Sequence, residues 1–207
     1  MKKTTFPLVA LSTVLIFLSG CASYNASPLN SFTSDMIISH EPNGMGTSDI
    51  SVGAKVFNKA DCKKYLDRDV IAKGYQPIQL YIQNSSDKDY IFSLNRISMS
   101  SARPEEVAEK VHTNTAGRVA AYGAGAWFTL GILAVPAVVD GVKSANANEA
   151  LDNDFSAKAA RDQVIFRHSH FNKLLFVPIN EYQPNFTVTL IEQDLNKPKV
   201  LNVSVRS

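Results

Sequence analysis

Two histidines, two cysteines and a few paired acids are the residues whose types and spacing could do chemistry in this chain. His168-Ser169-His170 sets two imidazoles at i and i+2, on one face of an extended segment, and that spacing can hold a metal. A zinc site normally needs three or four protein ligands, and this pair has no Cys or acid nearby in sequence. It is read as a loop or edge pair. No serine sits in a G-x-S-x-G elbow, and no glycine-rich loop follows a strand in the manner of a nucleotide site. Asp67/Asp69 and Asp87/Asp89 flank turns and are read as solvated. The expectation is a chain without catalytic residues, metal or cofactor.

The N-terminal residues carry a different kind of chemistry. Lys2 and Lys3 form a short positive region, and FPLVALSTVLIFL follows as an apolar run in the pattern of an export signal. Leu18-Ser19-Gly20-Cys21 comes next. This order of parts resembles the lipobox of bacterial lipoproteins, where small residues precede the cysteine that becomes acylated. The resemblance implies that residues 1–20 are a signal peptide and that Cys21 is the lipidated first residue of the mature protein. In enterobacterial lipoproteins an Asp after that cysteine favours the inner membrane. Ala22 stands here, which implies lipid anchoring in the outer membrane, facing the periplasm.

Processing alters the charge and cysteine accounts. The chain has 21 Lys+Arg and 19 Asp+Glu, and loss of Lys2 and Lys3 makes it formally neutral. No basic run extends beyond Cys62-Lys63-Lys64, so the electrostatic footprint of a nucleic-acid binder is missing. With Cys21 acylated, no intrachain disulfide can form, and Cys62 is a lone thiol in an oxidising compartment. It is read as a buried small apolar residue on a short helix, the functional alternative being an intermolecular disulfide or a reactive thiol.

The elements that position these residues are short and mostly of β type. Residues 21–35, rich in Ser, Asn and Pro, read as a flexible tether. Residues 50–57 alternate as a strand, residues 60–66 as a short helix, and Ile78, Leu80 and Ile82 mark a strand with one face to solvent. Further strands are expected at 90–94, 97–99, 164–166, 173–177, 186–191 and 200–205. That makes roughly seven to nine, the number expected of an immunoglobulin-like sandwich. The run QPIQLYIQNSSDKDYIFS resembles the Ig-like modules of envelope lipoproteins. Because neither half holds enough strands to cover a sandwich core, residues 36–207 are expected to form a single α+β domain, an Ig-like antiparallel β-sandwich. A helical hairpin is inserted at about 104–161.

That insertion contains the most apolar stretch of the chain beyond the signal. Val119 to Val139 carries no charged residue, about long enough to span a hydrocarbon core at ~20 residues. A single crossing would place the two sets of strands on opposite sides of a bilayer. Gly131 and Pro136 instead predict a turn between two helices, Pro136 opening the second. Leu151, Phe155 and Ala159 then form a stripe that docks on the β domain. Gly117, Ala121, Gly125 and Thr129 are spaced by four, and small-xxx-small rows let helices approach closely. The segment resembles the glycine-zipper elements of bacterial envelope proteins. That resemblance implies oligomerisation or membrane contact through Gly117, Ala121, Gly125, Trp127, Phe128 and Gly131; packing on the chain's own domain is the structural alternative.

Two functional classes follow. One is a non-enzymatic lipid-anchored envelope protein, contacting the membrane through its lipid and a second copy or other envelope proteins through its β domain and hairpin. The other is a periplasmic ligand-binding or hydrolytic lipoprotein with an unidentified pocket.

Overall fold

The computed structural model describes residues 23–31, 49–113 and 134–206. Seven strands and three α-helices occur among them: β1 (Ile50–Val56), α1 (Lys59–Leu66), β2 (Tyr75–Asn84), β3 (Tyr90–Phe92), α2 (Pro104–Val111), α3 (Ala134–Lys158), β4 (Gln163–Ile165), β5 (Ser169–Pro178), β6 (Asn185–Glu192) and β7 (Lys197–Arg206). The chain divides into two compact units: Asn25–His112 with Glu149–Ser207, and Met1–Tyr24 with Thr113–Asn148. All seven strands belong to the former.

The strands make one sheet in the order β4-β3-β6-β7-β1-β2-β5, nearly closed into a barrel. β2 pairs antiparallel with β1, Val52 opposite Ile82, and with β5, Ile78 opposite Leu175. β6 and β7 form the other long antiparallel pair. The two are joined by a short parallel contact of β1 with β7, Ala54 opposite Val205. The two halves of the chain interleave: β2 takes β5 as partner, and β3 takes both β4 and β6.

Alternation explains the core. Ile78, Leu80 and Ile82 of β2, Val52 of β1, Val188 and Leu190 of β6 and Leu201 and Val203 of β7 all turn inward and are buried, as the period of two requires. Phe92 and Phe171 meet there with ring centroids 4.4 Å apart. At the far end of β2, buried Asn84 joins strands that do not pair. Its amide donates to the carbonyls of Lys88 at 2.7 Å and Phe166 at 2.9 Å, and its carbonyl accepts from the Ser86 backbone and hydroxyl.

Each helix shows its local cause. A reciprocal capping box starts α1, with Asn58 accepting from the Asp61 N–H at 2.9 Å and Asp61 accepting from that of Asn58 at 3.2 Å. Pro104 opens α2 and Glu105 and Glu106 occupy its first turn, where the helix dipole favours acids. The helix ends at Val111, early in the stretch of about 104–161 expected as a helical hairpin, of which residues 114–133 lie outside the described ones. α3 has Pro136 in its first turn. The stripe at its end docks as anticipated: Leu151, Phe155 and, one residue past the helix, Ala159 are buried, and Phe155 stacks on Phe176 of β5 at 5.4 Å. The chain beyond α3 also covers the outer edge of β5, Ala160 donating to the Leu174 carbonyl while Ala102 donates to that of Phe176. Edge groups that would otherwise stay open are thus paired.

Candidate functional site

Cys21 and the hairpin positions Gly117, Ala121, Gly125, Trp127, Phe128 and Gly131 lie outside the described residues. What is described is the segment that follows the cysteine and the ground on which it lies. Residues 25–30, read from composition as part of a free tether, are hydrogen bonded along the β domain. The Asn25 N–H donates to Asp67 Oδ2 at 3.1 Å, and the Ser27 N–H to the Lys64 carbonyl at 2.9 Å. The Asn30 carbonyl accepts from Gln79 at 2.8 Å and from Asn172 at 3.1 Å. This strap also explains why Gln79, on the face of β2 predicted to meet solvent, is buried.

Lys158 fixes the strap from below. Its ammonium is buried and donates to three acceptors, the carbonyls of Ser27 at 2.9 Å and Tyr65 at 2.6 Å and the Asp154 carboxylate at 2.6 Å. Three donors meet three acceptors, which is what a buried ammonium requires. One side chain at the end of α3 thereby holds both the strap and α1.

Asp67 receives the other end of the strap. It caps α1 in the left-handed region at φ 50°, and its carboxylate also takes Lys63 and, at 3.0 Å, Arg68. Burial pushes the carboxyl up, but the Lys63 hydrogen bond, the Asn25 N–H and the Lys63 and Arg68 charges outweigh it and hold it below its ordinary value. Asp67 is therefore an organising residue, not a solvated turn acid. Asp89 is another, accepting from the Arg167 backbone at 2.8 Å and from its guanidinium at 3.3 Å.

The remaining candidates separate from one another. Cys62 is buried in α1, as the sequence indicated. Burial, and then the nearby charges of Asp69 and Asp61, push its thiol up to about 12. His168 occupies the β4–β5 turn at φ 54° and bonds Asp87 through Nε2 at 2.9 Å, whereas His170 stacks on Tyr81 at 5.9 Å. Ser169 lies beside the His168–Asp87 pair, yet its hydroxyl donates to the Phe166 carbonyl at 2.6 Å. A serine nucleophile would instead need its hydroxyl on the imidazole. Among the described residues no group of three His, Cys, Asp or Glu could hold a metal, and no helix is long and apolar enough to cross a membrane.

Two further polar contacts place α2. The Tyr75 hydroxyl donates to Glu106 at 2.5 Å and receives Lys110, and His112 Nε2 meets Asp152 of α3 at 2.6 Å. Just beyond, the Asn148 amide clamps the Thr113 backbone, accepting from its N–H at 2.9 Å and donating to its carbonyl at 3.3 Å. No family model, curated protein or solved structure matches the chain.

Proposed function

We propose that this chain is a non-enzymatic bacterial lipoprotein of the outer membrane, facing the periplasm and held by acylated Cys21. Its β domain and apolar insertion make contacts with envelope proteins, further copies of itself or the membrane. The observation that carries the reading is the order of parts from Lys2 to Leu18-Ser19-Gly20-Cys21. The strap adds support, since the chain after Cys21 leads within a few residues onto the folded domain.

We also infer the finer architecture, an Ig-like β-sandwich with an inserted αα-hairpin. In support, β1-β2-β5 and β3-β6-β7 are grouped as strands A-B-E and C-F-G are in Ig-like sandwiches, the last strand running parallel to the first. α2 and α3 fall between β3 and β4 in the chain, and the clamp of Asn148 on Thr113 sets the chain leaving α2 beside α3. Nothing among the described residues favours the hydrolytic alternative.

One experiment addresses both parts. Cells expressing the protein should incorporate labelled palmitate into it, and Cys21→Ser should abolish both label and membrane fractionation. Gly125→Leu should keep the label but alter self-crosslinking or partitioning, with the β domain still folded. Unchanged crosslinking and partitioning would count against the hairpin as a contact element.

A further inference from the structure

We infer that the domain sits directly on the phospholipid surface of its own membrane, with the C-terminal end of α1 facing the headgroups. This rests on the lipidation of Cys21 proposed above. Three residues lie between Cys21 and Asn25, and over those four Cα–Cα steps an extended chain reaches at most about 3.6 Å each, roughly 14 Å in all. Between Asn25 and Asn30 the chain is fixed on the domain. Asn25 is held at Asp67, Ser27 at Lys64 and Lys158, and Asn30 at Gln79 and Asn172. The membrane therefore lies within that short reach of Asp67.

The composition of this end suits a phospholipid surface. Lys59, Lys63, Lys64 and Lys73 are exposed on α1 and the segment after it. Of the three acids between them, Asp61 is paired with Lys55 at 2.7 Å, and Asp67 with Lys63 and, at 3.0 Å, with Arg68, so residues 59–73 hold five basic side chains against three acids. Positive charge is in excess, and anionic headgroups attract it within a Debye length. The opposite end is the β2–β3 turn at Asp87. β2 runs ten residues from Tyr75 to Asn84, so that turn lies about 30 Å along the strand from the α1 end at ~3.3 Å per residue.

The test uses the lipidated protein purified from cells and reconstituted in vesicles of phosphatidylethanolamine and phosphatidylglycerol that carry a headgroup-labelled acceptor lipid. A donor dye is attached at Lys64→Cys or at Asp87→Cys, buried Cys62 being shielded from the reagent. Energy transfer should be several-fold higher from residue 64 than from residue 87. In buffer of high ionic strength, which screens the lysines, inserting a Gly-Ser linker of about 20 residues between Ala22 and Ser23 should remove that difference by freeing the domain from the surface. Equal transfer from the two sites in palmitate-labelled protein, or a difference that survives the linker, would overturn the orientation and leave the lipidation reading intact. Absence of palmitate label would overturn both.

Discussion

At the scale of single residues, burial decides what Cys62 can do. A thiol reacts as its thiolate, and a group pushed up to about 12 is ionised to only about one part in ten thousand at pH 8. Native protein should therefore resist iodoacetamide at that pH and react stoichiometrically in denaturant; complete labelling of the folded protein within minutes would contradict the burial. Asp67 makes the opposite prediction about charge. Its carboxyl is held below the ordinary 3.8, so it stabilises the fold above that value, and the contribution disappears as pH falls through the folded pKa. Asp67→Asn should lower stability by about 1 kcal/mol at pH 7, and urea midpoints of the two proteins should converge once the pH falls below the folded pKa of Asp67. Paired acids in a turn-rich stretch carry no mark of such roles. The groups that define them, Asn25 for Asp67 and Arg167 for Asp89, lie far along the chain.

At the scale of elements, α3 stands out because it was legible. Leu151, Phe155 and Ala159 recur every four residues, and that spacing alone places them on one buried face. Phe155→Ala should cost about 3–5 kcal/mol, read as a fall in the urea midpoint; a loss below 1 kcal/mol would mean that the face is not packed as described. Ile78, Leu80 and Ile82 were legible for the same kind of reason. The strap was not. Asn25, Ser27 and Asn30 attach through backbone N–H and carbonyl groups, which every residue owns and no pattern reveals. Lys158 was equally hidden, because a lysine in the last turn of a helix ordinarily complements the helix dipole from solvent.

At the scale of the molecule, closure of the sheet depends on a few contacts between distant parts of the chain. Asn84 ties the end of β2 to the end of β4 and the residue after it, and Asn84→Ala would take the amide from the buried Ile165 bond and from the carbonyls of Lys88 and Phe166. A loss of about 2–3 kcal/mol is expected, measured by chemical denaturation, with Asn84→Asp, which keeps the acceptor but lacks the amide donor, giving no rescue. Strand counts led to the expectation that the two halves fold together, but not to the pairing order. Which strands become neighbours is set by long-range register, and local alternation does not encode it. That order has a kinetic consequence. β7 comes last of the seven strands in the chain yet lies between β6 and β1. A polypeptide emerging from its N-terminus, whether from the ribosome or through a translocation pore, holds β1 with one bare edge until β7 has been made. Completion of the fold must wait for that strand, and during the wait the nascent chain is open to any passing strand or chaperone.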